Sequence, residues 1–229
     1  MNKIIFNYDK TMDGIKATLK ALLEPMKSFA SVFSNFWVSV SVSIAVFLIL
    51  LIICTLKNKS LFRAELKKTK TIVICAMMIA VNVVLEFFAR DITNYIRISF
   101  AFVTLPIVSS LFGPIIGGTI GVLQDVAAYL AKPTGAFLIN LSLNEGIAGM
   151  IFGLMLYNKK ITLLRVFLSE LIIIFFVNII LNSIALAPTV GSGLVGILPS
   201  RIIKNIILLP IQTILSYFIL KFMKTKIIK

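Results

Sequence analysis

The sequence predicts an all-α integral membrane protein, a six-helix bundle preceded by an amphipathic helix and one extra hydrophobic span. Three observations carry that prediction. Of the 229 residues, 59% are hydrophobic and only 14% charged, against roughly 45–50% and 25% in soluble domains. The mean hydropathy is +1.03. Apolar runs recur, each long enough to cross a hydrocarbon core of about 30 Å as a helix of about 20 residues; a membrane barrel would instead need short strands of alternating polarity.

In residues 1–35, Met12, Ile15, Leu19, Leu22, Leu23, Met26, Phe29, Ala30 and Phe33 recur at helical spacing, opposite Asp13, Lys16, Lys20, Glu24 and Lys27. That pattern predicts an interfacial amphipathic helix, bent at Pro25. No basic segment with an A-x-A cleavage pattern precedes the next apolar run in the layout of a secretory signal, so residues 36–56 are read as an uncleaved leader span. Residues 57–70, "KNKSLFRAELKKTK", hold six basic residues against one acid and predict a cytoplasmic linker. The core, 71–224, then offers six spans at 71–89, 98–112, 115–131, 137–156, 163–186 and 201–220, with Pro106 and Pro210 interrupting the second and sixth. With the linker inside, inner segments carry thirteen Lys and Arg and the outer side of the core five: Arg90, Arg97, Lys132, Arg201 and Lys204. This bias predicts a multi-pass protein of the cell membrane with a cytoplasmic C-terminus. It leaves the lysines of 1–35 outside.

Composition excludes several chemistries. The chain has no histidine, which removes histidine metal sites, histidine proton relays and Ser-His-Asp hydrolysis. The net charge of +14 sits at the ends of apolar runs, the mark of membrane orientation and not of nucleic-acid binding. Cys54 and Cys75 lie within apolar runs at no metal-ligand spacing and are read as packing residues. No cofactor is expected.

Ionisable residues inside spans cost roughly 2.5–3.5 kcal/mol each on insertion scales and mark functional sites by default. Asp125 falls about 9 Å below the outer end of its span and Glu145 about 12 Å. Glu86 stands four residues before Arg90, close enough to pair with it along a helix. Arg201 and Lys204 open the sixth span beside Asn205. All belong to the outer half, and Glu170 is the exception toward the inside. A channel or pump needs polar groups along the whole crossing, so the asymmetry predicts a cup open to the outside. Arg97, Arg201 and Lys204 can snorkel to the headgroups; as three cations above two deeper acids, they also suit an elongated ligand with an anionic tail and an amine-bearing head.

Gly113, Gly117, Gly121 and Asp125 recur every fourth residue, a stripe of small residues that lets a neighbouring helix approach closely and holds the aspartate against it. Gly149 and Gly153 repeat the pattern in the fourth span, and Gly113-Pro114 predicts a tight inner turn with proline in the first helical turn. In "CAMMIAVNVVLE", Ala76 and Ala80 make one face smooth while Asn82 and Glu86 lie well over 100° around the helix. Smooth small-residue faces are helix-docking surfaces.

The order of A-x-x-x-A in the first core span, "RISF…LP" opening the second, "FGPIIGGTIGVLQD" through the third, "KPTGAF" before the fourth and "RIIKNIILLPIQ" in the sixth resembles the substrate-binding S-components of energy-coupling-factor (ECF) vitamin transporters, and among them the folate type. The resemblance covers about 70–224; residues 1–68 have no counterpart in the usual six-span member. It implies a bundle that captures its vitamin from outside, associates with a transmembrane coupling subunit and two cytoplasmic ATPases, and topples in the membrane to release substrate inside. The chain has no G-x-x-x-x-G-K-[ST] loop, so it is not expected to be an enzyme, and ATP hydrolysis is expected of the partners. The family's docking face maps to Ala76 and Ala80, and the arginine of "RISF" to Arg97. Outer loops 90–97, 131–137 and 187–200 are expected to close over the ligand, with Gly191–Gly196 as a flexible lid. On this reading the ligand is folate or a related pterin. Asp125, Asn140, Asn144 and Glu145 are candidates for its head, and Arg97, Arg201 and Lys204 for its tail. The alternatives are an S-component for pantothenate or riboflavin, a stand-alone secondary carrier, and an intramembrane lipid-modifying enzyme using Asp125 and Glu145.

Overall fold

The computed structural model describes residues 36–66, 68–93, 96–133, 136–189 and 193–227, so the amphipathic helix expected over 1–35 lies outside the described residues. Helix α1 spans Phe36–Leu66. In lipid only a helix satisfies the backbone within a single segment, which overrides the strand preference of the β-branched run in "VSVSVSIAV". The helix does not stop where the apolar run ends, and carries the basic segment as far as Leu66. Helix α2 is Thr69–Phe87. A two-stranded antiparallel hairpin follows, β1 Arg90–Thr93 and β2 Ile96–Ile98, with Asp91 opposite Arg97.

After a 3-10 turn, Ala101–Val103, helix α3 covers only Thr104–Phe112. The second core span, expected to cross as 98–112, is therefore a short helix, and Thr104 to Ser110 are all buried within the bundle. Helices α4, Pro114–Ala131, and α5, Ile139–Leu156, form a tight pair. Helix α6, Leu163–Ile172, continues through a π-helical segment, Ile173–Leu181, into α7, Asn182–Leu186, and a last 3-10 turn, Ala187–Thr189. Helix α8, Gly193–Ile227, keeps Pro199 and Pro210 inside it; each proline forgoes a backbone hydrogen bond, a defect membrane helices tolerate. Its start at Gly193 makes helix of most of the segment expected as a flexible lid. Among the described residues, six helices are long and apolar enough to cross a membrane, the first at Phe36–Leu56 and the last at Leu198–Met223.

The glycine stripe sets the geometry of the bundle. A Cβ on Gly117 would stand 2.8 Å from the carbonyl oxygen of Gly149, and one on Gly121 would stand 2.6 Å from that of Glu145. Backbone thus meets backbone along the seam, which only glycine permits. At its N-terminal end Gly113 turns the chain with φ at 92°, in the region open to glycine. Helix α1 lies against this pair: Phe47 contacts Gly146, and the fully buried Cys54 joins Ile115 and Met150 in one apolar cluster. The main core gathers Leu105, Ile107, Ile147, Phe152, Val166 and Val177, all buried, between α3, α5 and the α6 span.

Candidate functional site

Helices α2, α3, α4, α5, α8 and the α6 span enclose a cavity of about 710 Å³. Its positions along α5 and the residue just before it are Leu138, Leu141, Glu145, Ala148 and Phe152, one stripe at alternating three- and four-residue steps. At 1.5 Å per residue that stripe makes the cavity roughly 21 Å deep along the helix. Glu86, Asp125, Glu145, Lys132, Arg201 and Lys204 line its walls together with Phe102, Tyr129 and Phe137, and Glu170 and Gln212 lie at the deep end.

Each polar group is positioned by a particular contact. Asp125 sits at the C-terminal end of the glycine stripe, where α5 is close enough for Ser142 Oγ to donate to Oδ2 at 2.6 Å. Glu145, one turn further along α5, has Asp125, Glu86 and Lys204 as its electrostatic neighbours. Arg201 Nη1 donates to the carbonyl of Asn178 at 3.0 Å; its Nε is buried and, among the described residues, has no partner. Lys132 Nζ donates to the carbonyls of Ala89 at 3.2 Å and Phe87 at 3.4 Å, tying the C-terminal end of α4 to that of α2. On the floor, Ser216 Oγ donates to Glu170 Oε1 at 3.1 Å.

Where α2, α3 and α4 meet, a buried knot satisfies three polar side chains. Thr104 Oγ1 lies 3.0 Å from Asn82 Oδ1 and 3.4 Å from Gln124 Oε1, Asn82 Nδ2 donates to the Gln124 carbonyl, and Gln124 Nε2 to that of Met78. Buried amides left unpaired would each cost about 1–3 kcal/mol. The knot therefore fixes the wall that carries Asp125.

Of the residues singled out from sequence, Asp125, Glu145, Arg201 and Lys204 come together on the cavity. Asn140 and Asn144 do not line it. Asn140 is fully buried and its Nδ2 reaches Ser39 Oγ at 3.1 Å and the Ala185 carbonyl at 3.5 Å, binding α5 to α1 and α7. Asn144, also fully buried, donates to Asn182 Oδ1 at 2.9 Å. Arg97 is placed on β2 by its backbone; its side chain lies outside the described part of the molecule. Gln124, Lys132, Asn178, Asn182 and Gln212 line the cavity without having been singled out as binding residues. Two amides four residues apart in the apolar run "FFVNIILNS" are the signal that could have found Asn178 and Asn182. Ala76 and Ala80 are exposed on α2, as are Ile72, Val73, Met77 and Val84, while Asn82 on the same helix is buried toward the bundle.

With that geometry in hand, comparison with known proteins is specific. The family model for the substrate-specific component of ECF transporters matches residues 70–220. The folate transporter FolT of Clostridium novyi is 32% identical over 152 residues, covering 66% of this chain and 88% of its own. FolT of Leuconostoc mesenteroides is 30% identical over 158 residues, covering 66% and 85%. The crystal structure of FolT bound with folic acid matches with a TM-score of 0.62 at 34% identity, over 66% of this chain and 93% of that one.

Proposed function

The chain belongs to the substrate-specific components of ECF transporters, and from that membership we propose that it captures folate or a closely related pterin from the outer face of the cell membrane. The observation that carries the reading is Arg201: a guanidinium in a cavity wall inside the membrane, held by one carbonyl and with its Nε unpartnered. A charge left so exposed to desolvation calls for an anionic group from the occupant. Lys204 adds a second cation, and Asp125 and Glu145 face the same cavity. Folate matches that distribution, since its glutamate tail is anionic and its pterin edge presents an amine and a ring N–H to carboxylates. A buried site that hydrogen-bonds such an edge rejects analogues lacking it, because its own groups are then left unpaired.

The rest of the transport cycle belongs to partners. A transmembrane coupling subunit docks on the exposed Ala76 and Ala80 face of α2, and two cytoplasmic ATPases supply the energy. On this reading the C-terminus and the loop at Lys159 face the cytoplasm, a placement supported by the lysine and arginine distribution. The test is native mass spectrometry of the protein as purified from cells grown with folate. A co-purifying folate supports the reading; a co-purifying riboflavin or pantothenate assigns the cavity to another vitamin.

A further inference from the structure

A line of hydrogen bonds joins α5, the α6 span and α8 along the cavity. Asn144 Nδ2 on α5 donates to Asn182 Oδ1 at 2.9 Å, Asn182 Nδ2 donates to Asn178 Oδ1 at 3.3 Å, and Arg201 Nη1 on α8 donates to the backbone carbonyl of Asn178 at 3.0 Å. Asn144 is fully buried, and the other three line the cavity. The two middle members sit where the π-helical segment Ile173–Leu181 gives way to α7. There the N–H of Asn182 reaches back five residues to the carbonyl of Val177, whereas that of Ala187 reaches back four, to Ser183. Changing from a five-residue to a four-residue step skips an acceptor. The carbonyl next after Val177 is that of Asn178, the one that receives Arg201. π-helical turns within α-helices are frequently found at functional sites, and the end of this nine-residue segment turns a carbonyl over to a side chain of another helix.

We propose that Asn178 and Asn182 are positioning residues for carboxylate binding by Arg201. The junction between π and α geometry supplies the acceptor for Nη1, and the amide pair pins that junction to Asn144 of α5. With Nη1 so engaged, the edge of the guanidinium formed by Nε and Nη2 remains, and a guanidinium edge takes a carboxylate as a two-bond fork. The chemistry selects a ligand with a carboxylate at the outer end of the cavity. This inference rests on the folate reading and adds to it the device that orients the arginine.

Calorimetric titration with two probes tests it: folic acid, and the primary amide of pteroic acid, which keeps the ring and the benzoyl group but lacks the glutamate. Asn182→Leu should weaken folic acid by about tenfold and the amide by less than about threefold, and on an Arg201→Ala background it should add no more than about twofold for folic acid, because the two residues act through one contact. Asn178→Ala, which removes the acceptor of Asn182 Nδ2, should repeat the pattern and serves where Asn182→Leu does not fold. Equal losses for both probes, or a loss that adds fully to that of Arg201→Ala, would overturn the positioning role while leaving the folate reading intact. Wild-type protein that bound neither probe would overturn both.

Discussion

Ser142 of α5 donates its hydroxyl to Oδ2 of Asp125 on α4 at 2.6 Å, at one end of a seam where the two helices touch backbone to backbone. Glycine at 117 and 121 brings the helices close, and closeness lets a short side chain such as serine reach the carboxylate. The seam thus fixes an acid on the wall of the cavity. Asp125→Asn keeps an acceptor but loses the charge, and hydrogen bonds to charged groups are worth about 1.5–3 kcal/mol. The variant should melt lower in detergent and bind folic acid and its tail-less amide more weakly by similar factors. A loss restricted to one ligand would show that Asp125 is not part of the scaffold.

The seam itself is tested at Gly149, whose added Cβ would meet the carbonyl of Gly117. Overpacking of this kind costs about 1–3 kcal/mol. Gly149→Ala should lower the melting temperature clearly, whereas Thr119→Ala, on the exposed side of the same pair, should change it little. Equal melting temperatures for the two variants would contradict close packing of α4 on α5.

Arg201→Ala should weaken folic acid by roughly 1.5–3 kcal/mol, which is about 10- to 100-fold in dissociation constant. The tail-less amide should barely respond. Should both ligands weaken equally, Arg201 does not hold the tail.

Bulk on the smooth face of α2 should separate capture from transport. Ala76→Trp and Ala80→Trp place large rings on exposed positions and should leave folic acid binding in detergent near wild type while abolishing uptake by cells. Loss of binding in both variants would mean that this face packs within the protein.

Orientation is read by labelling with a membrane-impermeant maleimide. Cysteines introduced at Ala131 and Thr189, both exposed, should react in intact cells and one at Lys159 should not; the native Cys54 and Cys75 are buried. The opposite pattern would place the cavity mouth in the cytoplasm.

Most of the architecture was legible because lipid leaves few choices: an apolar run of sufficient length becomes a helix, and the observed spans at 69–87, 114–131, 139–156 and 163–189 fall within about three residues of those expected. The stripe from Gly113 to Asp125 was legible for the same reason, since a period of four on a helix can only be a face. What was less legible was phase. Glu145 lines the cavity, and Asn144 beside it is rotated by about 100° into the contact with Asn182. The stripe through Glu145 runs 138, 141, 145, 148 and 152, and neither Asn140 nor Asn144 falls on it. Around Asn178 and Asn182 no such projection works, because a π segment interrupts the regular 100° step and nothing in "IIFFVNIIL" announces one. The short α3 was hidden by its apolar neighbours: a buried helix inside a bundle and a full crossing are equally hydrophobic, and only length separates them.

Whether this cavity takes a molecule with a carboxylate at one end and a donor-rich ring at the other is read by calorimetric titration of the purified wild-type protein with folic acid, riboflavin and pantothenate in turn. Folic acid should bind saturably, one to one, with a dissociation constant of about 1 µM or tighter, a free energy near −8 kcal/mol, and without competition from the other two vitamins. Saturation by riboflavin or pantothenate, with no heat from folic acid, would contradict the folate reading.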